Sequence, residues 1–156
     1  MEKNNGNYNF RKDLIIGEAG EKTIIEDLQS MGATFVSDNK TNTHDILMTY
    51  KGKEITYECK ADTYIDTGNM FIEVECRGKE SGIMVTKAEW FVMYFKRLNQ
   101  AWYIKTDKLK AIINNFPHRI SRQSGDAGSN TVGYLINKTK FRDDFIVRNP
   151  LTHEKL

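Results

Sequence analysis

The chain has 156 residues, of which 39% are hydrophobic and 28% charged, and its net charge is only +2. That balance suits a soluble domain with a core of its own, and its longest apolar run, Trp90-Phe91-Val92-Met93-Tyr94-Phe95, is too short to span a membrane. The charge is uneven, −3 over residues 1–100 and +5 over residues 101–156; this suits a protein that grips phosphates with one region and a metal with another, and equally a basic surface that is merely solvated.

Residues 1–11 read as a flexible N-terminal arm. Its Asn- and Gly-rich start has no apolar core for a secretory signal, and Tyr8 and Phe10 could anchor it to the body or to a second subunit. Residues 12–156 read as one domain, without a repeat or a linker. The spacing predicts a helix over residues 12–31, ended by Gly32. Its apolar stripe is Ile24, Ile25, Leu28 and Met31. Glu21 falls on that stripe and Glu18 at its edge. A carboxylate there needs a partner: a salt bridge, a metal or an ordered water network. Gly17 and Gly20 weaken helix propensity and would admit close approach of another backbone.

A short strand over residues 34–37 and a polar loop, residues 38–43, lead to His44 and Asp45. Residues 46–50 and 54–61 then read as a hairpin about the turn Lys51-Gly52-Lys53. Alternation in the second arm puts Glu58 and Lys60 on one face and Cys59 on the other. Pairing about the turn carries Asp45 toward Glu58 and Lys60. Two carboxylates and a lysine converging there could hold a divalent metal and steady an attacking water. For each of these residues taken singly, a strand cap or a surface ion pair is the simpler reading.

A polar loop over residues 61–69 precedes a strand over residues 70–76. Ile72, Val74 and Cys76 share one face; Phe71, Glu73 and Glu75 share the other, and if that face looks into the site Glu73 or Glu75 could be an additional acidic ligand, the simpler reading being that one or both pair with a nearby Lys or Arg. Cys59 and Cys76 both sit in strand-like runs and read as buried free thiols of a reducing compartment, and the three scattered histidines offer no zinc spacing. Residues 77–82 form a loop. Thr86-Lys87-Ala88-Glu89 matches a capping box that would start a helical turn. Residues 90–96 and 101–105 read as strands, and residues 106–115 as a helix with Thr106 as its N-cap. Residues 118–131 read as a mobile basic loop carrying Arg119 and Arg122, a common place for phosphate contacts and, on composition alone, equally a disordered connection. A last strand over residues 132–137 precedes a basic segment with Lys138, Lys140 and Arg142.

The order Glu21, Asp45, Glu58-Cys59-Lys60 resembles the PD-(D/E)XK nuclease superfamily, most closely the archaeal-type Holliday-junction resolvases and their phage-encoded relatives. Gly17-x-x-x-Glu21 precedes Leu28 and Gly32, Asp45 is followed by Ile46-Leu47, and Glu58-x-Lys60 lies thirteen residues after Asp45 on the far arm of a hairpin. The likeness covers residues 14–76 and extends more weakly through Ser81-Gly82-Ile83 and Thr86 to Trp90. The proline that opens the family's motif is replaced by His44, which would help position the loop.

The resemblance implies a mixed α+β domain with a restriction-endonuclease-like core, a central mixed sheet flanked by helices. It implies a nuclease that hydrolyses phosphodiester bonds of branched or duplex DNA with Mg²⁺ or Mn²⁺, in the cytoplasm of a bacterial, archaeal or phage-infected cell, and with no membrane role. Asp45 and Glu58, with the Cys59 carbonyl, would hold the metal, and Lys60 would position or activate water. Glu21 would ligate a second metal, with Glu18 and Glu73 in reserve. Arg119, Arg122, Lys138, Lys140 and Arg142 would hold the DNA backbone. Two symmetric nicks in a junction would need a homodimer. The alternatives are a restriction, repair or exonuclease member of the superfamily, a non-catalytic DNA-binding protein, and a phage or plasmid protein whose acidic cluster binds a partner.

Overall fold

The computed structural model describes residues 5–38, 44–123 and 130–156. In it the period-2 segments become strands of two sheets. In chain order the elements are α1 (Asn5–Ser30), β1 (Thr34–Ser37), β2 (Ile46–Tyr50), β3 (Lys53–Asp62), β4 (Asn69–Cys76) and β5 (Lys79–Glu80). After them come β6 (Trp90–Phe95), β7 (Gln100–Lys105), α2 (Thr106–Asn115), β8 (Arg119–Gln123), β9 (Thr131–Asn137), α3 (Lys138–Phe141), β10 (Ile146–Asn149) and β11 (Glu154–Lys155).

The larger sheet has the order β1-β2-β3-β6-β7-β10-β11, and the smaller one β5-β4-β9-β8. β3 and β6 run parallel, while the other paired strands are antiparallel, so the central sheet is mixed. The hairpin β2–β3 closes at the Tyr50↔Lys53 pair. Lys51 and Gly52 between them have φ of 51° and 78°, the twist sense that two-residue hairpins favour.

Alternation along β6 and β7 divides the core. Val92, Tyr94, Ala101 and Tyr103 face α1, together with Tyr57 and Cys59 of β3. Phe91, Met93, Phe95, Trp102 and Ile104 face the other way, against Met70 and Ile72 of β4, Ile136 of β9 and the α2 stripe Leu109, Ile112, Ile113. Because β6 is buried on both faces, its sequence is a continuous apolar run rather than an alternating one. This is the mixed α+β arrangement of a restriction-endonuclease-like core.

Several expectations are corrected. Helix α1 begins at Asn5, so residues 5–11 are helical; residues 1–4 lie outside the described residues. Met31 falls just past the helix and is exposed. Thr86 to Glu89 form no helical turn. The Ala88 N–H donates to the Thr86 hydroxyl, and the Glu89 N–H donates to Thr56 Oγ1 of β3. The capping-box bonds are thereby replaced by bonds that dock the segment on the sheet. Thr106 opens α2 without capping it: its hydroxyl is buried and has no hydrogen-bond partner among the described residues. Arg119 and Arg122 lie on strand β8, not in a loop, because residues 119–123 pair with β9; residues 124–129 are not described, and neither are residues 39–43 of the polar loop before His44. Strand β9 is not the last, since β10 and β11 extend the large sheet. Both cysteines are free thiols, Cys59 buried and Cys76 half-buried. No helix among the described residues is long and apolar enough to cross a membrane.

Two contacts fix α1 on the sheet. The first is steric. A Cβ at Gly20 would stand 2.9 Å from the Cβ of Ala61 on β3, so helix and strand approach as closely as a glycine permits. Gly17, by contrast, has nothing within 4 Å of its Cβ position. The second is ionic. Asp27, fully buried, accepts hydrogen bonds from Arg148 Nε at 2.9 Å, Arg148 Nη2 at 3.2 Å and the Tyr103 hydroxyl at 2.8 Å, with His153 Nδ1 at 3.0 Å. One carboxylate thus joins the first helix, the sheet centre and the C-terminal hairpin. Burial pushes its pKa up, but the bonds from Arg148, His153 and Tyr103 outweigh that, and it is held below its ordinary 3.8.

Gly20→Ala is expected to destabilise the fold by about 1 kcal/mol, because overpacking exceeds the gain in helix propensity. A chemical-denaturation cycle with Ala61→Gly should show a coupling of about 1 kcal/mol, since only one of the two Cβ atoms fits. Asp27→Ala should cost about 3–5 kcal/mol by leaving Arg148 buried and unpaired. The Asp27 pKa is depressed on folding, so its stabilisation is present above pH 4 and lost as pH falls through the folded value. Thermal melts from pH 7 to pH 3 should therefore show the gap between wild type and Asp27→Asn narrowing below about pH 4.

Candidate active site

The site begins where one edge of β3 loses its partner. Strand β2 pairs with β3 from Tyr50↔Lys53 to Ile46↔Tyr57, and the Asp45 N–H adds a last backbone bond to the Tyr57 carbonyl at 3.0 Å. The next donor on that edge, the Cys59 N–H, has no strand opposite it. The Asp45 carboxylate takes its place, and Oδ2 accepts the bond at 3.0 Å. In a strand the N–H and C=O of one residue leave by the same edge, so the Cys59 carbonyl lies on the same open edge as Asp45. The Cys59 side chain goes to the α1 face. Burial, then the nearby charges of Glu21 and Asp45, push its thiol far up, so it stays neutral and contributes through its backbone.

Glu58 and Lys60 leave β3 by the opposite face. Lys60 Nζ stands 3.4 Å from Glu58 Oε1, and the buried Thr86 donates its hydroxyl to Glu58 Oε2 at 3.2 Å. Burial raises the Glu58 pKa and Asp45 adds to the rise, against the pull of Lys60 and Thr86. For Lys60, burial works downward, but Glu58, Asp45 and Glu73 together outweigh it, and its pKa is raised. Lys60 is therefore held as an ammonium and is a donor of charge and hydrogen bonds, not a proton acceptor. Its side chain is 46% exposed and remains accessible to a ligand. Thr86 is a site residue that sequence reasoning missed. Its capping-box pattern pointed to a helix start, and only the docking of residues 86–89 on β3 aims the hydroxyl at Glu58.

Glu21 is buried on α1 and lines a cavity with Asp45, Cys59 and Lys60. The tight Gly20–Ala61 approach is what brings it there. Glu18 is exposed and lines a neighbouring depression with Glu21, Glu26 and Asp38, which Asp45 does not border. Glu73 lines a second cleft of 310 Å³ that also includes Lys60, Phe71, Phe91 and Arg97. Glu75 is out of that cleft, because the β4–β9 register shifts between Glu73 and Glu75.

The basic candidates divide. On the smaller sheet Phe71, Leu135 and Arg119 are directly opposite one another on β4, β9 and β8. Phe71 and Leu135 line the cleft, and register puts the exposed Arg119 on the same face. Arg122, three residues on, is exposed on the other face. Lys140 is exposed, 5.3 Å from the Phe116 ring centre, and Arg142 is half-buried over Trp102 at 5.4 Å. Lys138 is corrected from DNA contact to scaffold. It is buried, 3.2 Å from Asp66 Oδ1 and 3.9 Å above the Phe95 ring, so its charge is already satisfied inside the protein.

The donors fit a hard divalent cation: the Asp45 oxygen not used by Cys59, the Glu58 carboxylate and a strand carbonyl are oxygens only. Among the described residues no three Asp, Glu, His or Cys side chains enclose a cation by themselves. An ion held there would need ligands beyond these side chains.

No protein-family model matches the chain, and no curated protein does. Among solved structures it is similar to that of a bacterial homing endonuclease, I-Ssp6803I, with a TM-score of 0.49 and 13% identity, over 72% of this chain and 79% of that one.

The Thr86 bond lowers the Glu58 pKa, so Thr86→Val should raise it further. A carbon-13 NMR titration of the glutamate carboxyls would show the Glu58 midpoint, already above its ordinary 4.5, moving up in the variant.

Proposed function

We propose that the chain is a metal-dependent DNA endonuclease of the PD-(D/E)XK type that acts on branched DNA as a homodimer. The observation that carries this reading is the open edge of β3. There a carboxylate caps the Cys59 amide, and Glu58 and an obligate ammonium stand two residues apart on an adjoining face. A surface ion pair needs neither the buried Thr86 hydroxyl on Glu58 nor a cavity in which Glu21 and Asp45 meet Lys60.

Asp45 and Glu58, with the Cys59 carbonyl, would hold a Mg²⁺ or Mn²⁺ ion. Such an ion supplies Lewis-acid polarisation of a phosphate and lowers the pKa of bound water. Lys60 orients the attacking water by hydrogen bonding and offsets the charge that develops on the phosphoryl oxygens. Glu21 reaches the same cavity from α1 and would hold a second ion directly or through water. Arg119 on the cleft face, with Arg122 and Lys140 outside it, contributes sequence-independent phosphate contacts. Two copies of the chain would make the paired nicks that resolve a four-way junction.

The test is cleavage of a labelled four-way junction and of linear duplex of the same sequence, with Mg²⁺, with Mn²⁺ and with chelator. Wild type should make paired nicks in the junction, and chelator should abolish them. Lys60→Ala and Asp45→Asn should each lower the rate by about 10²-fold or more while leaving salt-sensitive binding in place. The rate should fall on the acid side through the raised Glu58 pKa, since only its ionised form can hold a cation. Equal cutting of both DNAs would retain a nuclease and reject junction specificity. Full activity in Lys60→Ala would reject the site.

A further inference from the structure

The loop between β3 and β4 lies at the surface, Asp66 and Thr67 included, but hydrogen bonds tether it. Tyr64 N–H donates to Asp62 Oδ1 at 2.8 Å, Gly68 N–H to Asp66 Oδ1 at 3.0 Å, and Arg97 Nε to the Thr63 carbonyl at 2.7 Å. Buried Lys138 holds it twice more, from Nζ to Asp66 and from its N–H to the Gly68 carbonyl at 3.0 Å. The loop also leaves two large apolar side chains exposed. Tyr64 is 80% exposed and Ile65 74%, the two most exposed large hydrophobic side chains among the described residues. Side by side on a tethered loop, they form a small exposed apolar patch.

Position narrows the patch's use. Tyr64 borders both cavities that Lys60 borders, and Ile65 borders the cleft that Glu73 also lines. Arg97 lines the same cleft, and Arg119 stands across it on the cleft face of the smaller sheet. The apolar pair is thus adjacent to the reacting centre and flanked by cations. Two side chains are far too few for a protein interface, which needs about 800 Å² from each partner. A ring and a branched aliphatic chain side by side do match the gap between two base planes, and apolar wedges of this kind open base steps in DNA-bound proteins.

We propose that Tyr64 and Ile65 are a wedge that enters between neighbouring bases beside the scissile phosphate, so that the site acts where base stacking is already broken. This rests on the nuclease reading above and gives it a means of choosing substrate. A branch point, a mismatch or a nick presents an opened step, whereas a continuous duplex must be unstacked to admit the wedge. Selectivity for branched DNA then needs no base-reading element.

The experiment uses the full chain with chelator present, and a duplex carrying 2-aminopurine beside a single mismatch, with a fully paired duplex for comparison. Binding is read by anisotropy and unstacking by 2-aminopurine fluorescence. In the mismatched complex wild type should raise the fluorescence several-fold. Tyr64→Ala/Ile65→Ala should lose that rise and bind the mismatched duplex about tenfold more weakly, with little change on the paired duplex. Tyr64→Phe should retain both effects, because the ring and not the hydroxyl does the stacking. The substituted side chains are exposed, and an unchanged melting temperature checks that the double variant is folded. A quenched probe in the wild-type complex, or a full rise with the double variant, would overturn the wedge. In that event Lys60-dependent cleavage would leave the nuclease reading standing. Loss of self-association in the double variant, with unstacking unchanged, would make the pair a protein contact and also overturn it. If wild type neither binds nor cuts DNA, both readings fall together.

Discussion

The structure depends on the unequal pairing of β3 along its two edges. On one edge β6 pairs with it in parallel from Tyr57↔Trp90 to Asp62↔Phe95. On the other, β2 stops at Tyr57. From Cys59 onward the strand is therefore rigid but half unclothed. A backbone N–H left open in that position must find an acceptor. The Asp45 carboxylate supplies it, and the requirement that satisfies the backbone also fixes a charged group at the head of the site. Parity does the rest. With β6 setting the register, Cys59 must enter the α1 face, and Glu58 and Lys60 must leave by the other.

The opposite side of the site is set by α1, which is positioned at two points. Gly20 touches Ala61, and Asp27, about 10 Å further along the helix, is locked by Arg148, Tyr103 and His153. Glu21 sits between these anchors with little freedom to drift from Asp45. The scaffold is also what separates the basic residues by role. Lys138 and Arg148 are buried cations paired with Asp66 and Asp27, each holding a remote segment to the core, while Lys60 and Arg97 line the cleft and Arg119 lies on the same face of the smaller sheet. Charge totals alone could not have divided them.

The local pattern carried much of this. Apolar and β-forming runs, alternating in β3 and β4 and continuous in β6, marked β2, β3, β4, β6 and β7 to within a residue or two, and Thr106–Asn115 was legible as a helix from its stripe. Where it misled, a longer-range interaction had displaced the local one. Thr86-x-x-Glu89 has the side chains of a helix cap, but Thr56 of β3 takes the Glu89 N–H. Residues 119–123 look like loop because polar residues dominate them, yet they are a sheet edge with few apolar neighbours to declare it. β10 and β11 are too short to show a period. Asp27 passed unremarked because its partners lie 76, 121 and 126 residues away.

What the sequence determined by itself is the alternation of β3 and the spacing of Asp45, Glu58 and Lys60 about a two-residue turn. These follow from strand parity and hairpin closure, which are local in origin. Tertiary structure alone decided that Thr86 would meet Glu58, that Glu21 and not Glu18 would share the cavity with Asp45, and that Lys138 would be buried. It also left Tyr64 and Ile65 in water. Each of these is a relation between elements distant in sequence. It is decided by which faces of a helix and two sheets bury the most apolar surface together, and no local pattern records that sum.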